Sequence, residues 1–202
     1  MILYLHGFRS GPQSQKVQAL HAQMARQGMA NHYLCPQLPP SPAAAIALAA
    51  SIIAASKSPV TLIGSSLGGY YATYLAEKYA LKAVLVNPAV PAHLDAQEII
   101  GPQVHLYTGE PFEFTVAHVE QLRTIEVTHL HDPARYWLLV ETGDEVLDYR
   151  HAVEKYRGAR QTVLRGGDHS FTRWEDYLDE IIAFAGLTPD NAGHVAAPPQ
   201  RI

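Results

Sequence analysis

Short apolar runs recur along the chain at 2–5, 32–35, 60–63, 83–86, 136–140 and 162–164, each bounded by Gly, Pro, Asn or Asp. They are continuously apolar rather than alternating, which is the pattern of parallel strands covered on both faces. Helical periodicity lies between them. Val17, Leu20 and Met24 mark a first helix, Ser41 and Pro42 open an alanine-rich second as N-cap and N1, and Leu67, Tyr71 and Tyr74 mark a third. Near the end, Trp174, Tyr177, Leu178, Ile181, Ile182 and Ala185 share one face, with Thr172 and Glu175 spaced as a capping box.

This β-α alternation predicts a three-layer α/β fold: a mostly parallel sheet of about six strands, in the order 2-1-3-4-5-6, with helices on both faces. Residues 1–187 are expected to form one domain. The stretch 88–133 breaks the rhythm with weak, mixed signals and reads as an insertion capping the site. The stretch 188–202, rich in Ala, Pro and Gly without an apolar face, reads as a loosely ordered tail.

Composition narrows the function classes. With 15 Lys and Arg against 19 Asp and Glu, the net charge of −4 offers no basic surface for nucleic acid. Cys35 is the single cysteine, so no internal disulfide forms and a reducing compartment is expected. Met1 leads straight into 2–5 without a basic region and long apolar stretch, so a cytoplasmic location is expected. The longest nearly apolar stretch, 42–55, falls short of the roughly 20 residues that span a bilayer. Nothing in the pattern indicates the oligomeric state.

The candidate chemistry centres on Gly64-Ser65-Ser66-Leu67-Gly68, a G-x-S-x-G motif between an apolar strand and a helix. At ordinary Gly and Ser frequencies a chain of this length holds roughly 0.07 such motifs by accident. The sharp strand-to-helix turn presents the Ser66 hydroxyl as nucleophile, and the flanking glycines leave room for neighbouring backbone. A phosphate-binding turn is the alternative, but there is no dinucleotide spacing and no Walker lysine. The Leu67 amide, at the start of the helix, is one oxyanion donor. Gly7 lets the chain after the first strand turn so that the Phe8 amide becomes the second.

Among eleven histidines, His169 is the candidate base because it follows both the nucleophile and the last strand, in the flexible Arg165-Gly166-Gly167-Asp168-His169 loop. Asp144, which follows the intervening run 137–143, is the candidate orienting acid. Asp132, Glu145, Asp148 and Asp168 are less well placed. His6, ending a buried strand, reads as a loop-holding residue rather than a base. Arg9 is placed to attract an anionic substrate group, against the alternative of solvated surface. Tyr107, Phe112 and Phe114 line an acyl pocket or form the insertion's own core. His129, His131 and Asp132 lack a further ligand, so no metal site is expected.

Beyond these residues the sequence resembles the YqiA-like family of small bacterial esterases, a compact branch of the α/β-hydrolases. The likeness is carried by LHGF with Ser10, Pro12, Ser14 and Lys16, by QLPP at 37–40, and by IGSSLGGYYATYLAE, LVNPAV, YTGE, TGDEVLDYR and GGDHSF. It implies a serine hydrolase acting on a small-molecule acyl ester or thioester, without a cofactor, with Ser66, Asp144 and His169 as the triad. Two rivals stand beside it: acyl transfer on the same triad, and a catalytically idle binding protein on the hydrolase fold.

Overall fold

A computed structural model describes residues 1–90 and 99–188. The Gly-, Pro- and Asn-bounded apolar runs form β1 (Ile2–Leu5), β2 (Tyr33–Leu34), β3 (Thr61–Ser65), β4 (Lys82–Val86), β7 (Tyr136–Glu141) and β8 (Arg160–Leu164). All pair in parallel, in the order β2-β1-β3-β4-β7-β8, which is 2-1-3-4-5-6 when the six are counted alone. Every residue of β1, β3 and β7 is buried, as strands with helices on both faces must be.

Two cores result. Helices α2 (Pro42–Ala55), α3 (Leu67–Tyr79), α4 (Val116–Thr124) and α5 (Tyr149–Lys155) contribute to the core on one face, around Leu3, Leu5, Leu62, Leu85 and Leu138. Helices α1 (Gln15–Arg26) and α6 (Leu178–Phe184) cover Ile2, Tyr4, Ile63, Val84 and Trp137 on the other. The chain leaves β1 for β2 on one side and returns to β3 on the other, so the order reverses between β1 and β3. In open α/β sheets that switch point, at the carboxyl ends of the strands, is where ligands bind.

Local details depart from the sequence expectation. Ser41 caps α2 as expected, its Oγ accepting from the Ala44 amide at 3.4 Å. The expected Thr172–Glu175 capping box does not form: residues Trp174–Tyr177 make a 3-10 turn ahead of α6, and no side chain caps it. The Thr172 hydroxyl donates instead to the carboxylate of Glu141 at 2.9 Å, because a buried charge left without donors costs more than an exposed helix end. Helix α5, along which Tyr149, Ala152 and Val153 keep, with the C-cap Tyr156, a helical spacing against the core, is an element the sequence reading did not expect.

Within the stretch 88–133, of which 91–98 lie outside the described residues, the part from 99 onward is more regular than its weak signals suggest. Strands β5 (Gly101–Val104) and β6 (Pro111–Phe114) form an antiparallel hairpin, and Thr115 with His118 makes a capping box that opens α4. The hairpin lies on the loop after β1: the Leu106 amide donates to Arg9 O at 2.8 Å. From Pro189 onward, the expected tail lies outside the described residues. No helix among those described is long and apolar enough to cross a membrane.

Candidate active site

Ser66 sits between β3 and α3 with φ 54° and ψ −122°, a left-handed conformation that costs a non-glycine residue of order 1–3 kcal/mol. Surrounding backbone imposes it. A Cβ at Gly68 would lie 2.0 Å from Leu5 O, and one at Gly64 would lie 2.3 Å from Gly68 O, so α3 can press this closely on β1 and β3 only through glycine. The Ser66 amide donates to Val86 O at 3.1 Å, and Ser66 O accepts from Gly69 at 2.9 Å and Ala89 at 3.0 Å.

The loop after β1 closes on the same point. A Cβ at Gly7 would stand 3.3 Å from Ser66 Cβ. His6 is 5% exposed; its Nδ1 donates to Gly7 O at 2.9 Å and its Nε2 accepts from the Leu38 amide at 2.9 Å. Those partners define the neutral tautomer, and burial holds the imidazole below its ordinary value. His6 is thus a loop clamp, as the sequence suggested. The Phe8 ring packs edge-on against Phe114 at 5.1 Å and Phe112 at 5.8 Å, which fixes the loop carrying the Phe8 amide. Leu67 opens α3, where a first-turn N–H has no acceptor within the helix.

His169 reaches Ser66 from the loop after β8. Its Nε2 stands 3.1 Å from Ser66 Oγ, and its Nδ1 stands 2.8 and 3.0 Å from the two carboxylate oxygens of Asp144. A carboxylate only accepts, so Nδ1 carries the proton and Nε2 presents its lone pair to the Ser66 hydroxyl. Asp144, with a side chain 2% exposed, is further fixed by the Val146 and Leu147 amides at 2.9 and 2.8 Å.

The other acids have separate duties. Glu145 accepts the His169 amide at 3.0 Å, Asp168 accepts that of Ser170 at 2.8 Å, Asp148 caps α5 and pairs with Arg150, and Asp132 caps the Pro133–Arg135 turn. His131 is bonded to Glu77. Among the described residues no group of three His, Cys, Asp or Glu side chains is gathered as a metal site.

Two residues shape the His169 loop that sequence reasoning did not single out. Glu141, the last residue of β7, is fully buried. It accepts from the Asp168 amide at 3.0 Å, the Thr172 amide at 2.9 Å and Arg173 Nε at 3.0 Å. Burial works to raise its carboxyl, but these donors outweigh that and hold it below the ordinary carboxylate value. Asn87 Oδ1 accepts the Glu141 amide, while its Nδ2 donates to the carbonyls of Asp168 and His169, all at 3.1 Å. One signal was present: a carboxylate ending an apolar strand must find partners when buried.

A cavity of about 480 Å³ opens on Ser66 and His169, with Tyr107 on its wall. Arg9 and Phe112 do not line it. They line a narrower crevice that shares the Gly7 and Phe8 wall, and Arg9 Nε donates to Val104 O at 3.0 Å, tying the loop to the hairpin. Phe114 is wholly buried in the core.

Solved structures share this architecture. A protein of Agrobacterium vitis S4 matches with TM-score 0.72 at 22% identity, over 91% of this chain and 87% of that one. Alpha/beta hydrolase domain-containing protein 10 from mouse matches with TM-score 0.69 at 14% identity, over 90% and 89%. The esterase domain of a Rhodothermus marinus protein matches with TM-score 0.66 at 21% identity, over 91% and 85%. At these identities the likeness establishes the α/β-hydrolase fold. The sequence pattern of the uncharacterised protein family UPF0227 matches residues 1–186, and the chain therefore belongs to that family.

Proposed function

We propose that this chain is a serine hydrolase that cleaves carboxylic esters or thioesters of short to medium acyl groups through an acyl-enzyme on Ser66. The observation that carries the reading is the continuous chain of hydrogen bonds from Asp144 through His169 to Ser66, with Nε2 to Oγ at 3.1 Å and Nδ1 to carboxylate at 2.8 Å. In this mechanism Ser66 Oγ bonds to the acyl carbon as His169 Nε2 takes its proton, and Asp144 stabilises the imidazolium. The Leu67 and Phe8 amides receive the oxyanion. The bond to the leaving oxygen or sulfur then breaks, and His169 returns the proton to it. Water, with His169 again as base, releases the acid and restores Ser66.

The segment 88–133 belongs to the same proposal as a cap within a single domain of residues 1–187. The bond from the Leu106 amide to Arg9 O and the Phe8 contacts with Phe112 and Phe114 support it. A cytoplasmic setting is also part of it: Cys35 is the only cysteine, and burial pushes its thiol up to about 12, so it is chemically quiet.

The test is hydrolysis of a graded series of acyl nitrophenyl esters and acyl thioesters by the wild type and by Ser66→Ala. The expected outcome is turnover by the wild type and a fall in kcat of about 10³-fold or more in the variant. Equal activity in both, or an inert wild type across the series, overturns the reading.

A further inference from the structure

The cavity beside Ser66 contains a polar group for which the proposed mechanism has no use. Tyr4, in β1, is 1% exposed. Its hydroxyl is buried without a hydrogen-bond partner, yet Tyr4 lines the cavity that holds Ser66 and His169. Among the described residues Ser65 is the one side chain near enough to count as a hydrogen-bonding neighbour of the phenol, but the two groups miss hydrogen-bond geometry, so the hydroxyl keeps no formed bond. An unpaired buried hydroxyl costs about 1–3 kcal/mol, a cost removed when something entering the cavity pairs with it. Burial drives the phenol well above its ordinary range, so it meets a ligand as a neutral donor.

The surroundings define what it would meet. Ser10, Ser14 and Ser65 line the same cavity, and Ser14 heads the 12-residue α1 without spending its side chain on a cap. Lys16 is there too, but its ammonium donates to Ser170 O at 2.6 Å, and Glu145 and Glu175 share the wall. One cation against two carboxylates gives no net attraction for an anion. The wall is suited to neutral oxygens.

Position in the reaction follows from proton transfer. His169 hands its proton to the departing group, which must therefore lie on the His169 side of Ser66. The cavity is walled on that side by Ser170, Phe171, Thr172 and Trp174. Building on the serine-hydrolase reading, we propose that this cavity binds the leaving group, that its class is a neutral polyhydroxy alcohol, and that Tyr4 Oη is the contact that selects it. As Ser66 Oγ bonds to the acyl carbon, the bond from that carbon to the polyol oxygen breaks, and the proton held by His169 completes the free alcohol.

A matched pair of substrates tests it: glycerol monobutyrate, and propyl butyrate, which has the same acyl group and the same three-carbon alcohol without two hydroxyls. The wild type is expected to favour the glycerol ester at least tenfold in kcat/KM, and Tyr4→Phe is expected to lower that ratio about tenfold. Should Tyr4→Phe fail to fold, the wild-type ratio decides alone. Ser66-dependent turnover with a ratio near one, or a ratio unchanged in Tyr4→Phe, overturns the subsite and leaves the hydrolase reading standing. A wild-type preference above tenfold for butyryl glycerol phosphate over glycerol monobutyrate overturns the neutral class. No turnover of either member of the pair, or of the nitrophenyl series, overturns the hydrolase reading itself.

Discussion

The two sides of the candidate site are held by different physics. On the Ser66 side the backbone is fixed by shape: Gly64 and Gly68 permit approaches of 2.3 and 2.0 Å, measured from an added Cβ, that no other residue allows. On the His169 side glycine also packs closely, since a Cβ at Gly143 would lie 2.3 Å from Gly167 O, but the loop is held by charge: it wraps around the buried Glu141 carboxylate, with Asn87 and Lys16 bonded to its carbonyls. Shape of this kind is signalled by a short glycine motif and is unforgiving. Charge of this kind is assembled from distant residues and can be weakened in steps, so the two sides should fail differently.

The largest effect is expected from Gly68→Ala. Its methyl carbon would meet the Leu5 carbonyl at 2.0 Å, and that atom is backbone in the central part of the sheet, so α3 must move as a whole. A cost of about 5 kcal/mol or more is expected, seen as insoluble protein or as a melting temperature lower by more than about 10 °C. A variant melting within a few degrees of the wild type would show that the elbow is not fixed by packing density.

This contrast explains what the sequence disclosed. The strand order and the approach of Ser66, His169 and Asp144 were legible because each rests on a short pattern: an apolar run, a glycine-flanked serine, a glycine-rich loop after the last strand. Glu141, Asn87 and Lys16 were not, since their partners stand 27 to 154 residues away and no local spacing encodes them. The hairpin and α4 escaped for a different reason. The burial of β5 and β6 alternates but is mostly shallow, over only four residues each, which leaves only a faint period for a reader. The failed Thr172 cap shows the same limit from the other direction, because its spacing was right but a distant carboxylate claimed the hydroxyl.

The second effect, Glu141→Gln, tests the charged side. The amide keeps the shape but loses the charge that faces Arg173 and cannot accept from every donor around it. Stability should fall by about 1–3 kcal/mol, and kcat about tenfold with KM little changed, since His169 is displaced while the binding wall remains. The pH dependence identifies the carboxylate. Its folded value lies below the ordinary 4.5, so on acidification the unfolded chain takes up the proton first. The advantage of wild type over variant is therefore complete above about pH 5.5 and is lost as the pH falls through 4.5 towards the depressed folded value. Urea unfolding of both proteins at pH 7 and pH 4 measures it; a difference equal at both would assign the loss to shape, not charge.

The smallest effect should come from Lys16→Met, which removes the second tether on the same loop. The Ser170 carbonyl that loses the 2.6 Å bond from Lys16 Nζ sits where water can replace the donor, and the methionine retains most of the apolar stem. The other link between α1 and this segment, from Trp174 Nε1 to Lys16 O at 2.9 Å, uses backbone and survives the substitution. A loss below about 1 kcal/mol is expected, with kcat reduced about twofold to threefold, measured by urea unfolding and ester turnover side by side with Glu141→Gln. If Lys16→Met instead matches or exceeds Glu141→Gln, the loop hangs from helix α1 rather than from the buried carboxylate. The charged side would then have its anchor at the rim of the cavity instead of at the end of β7.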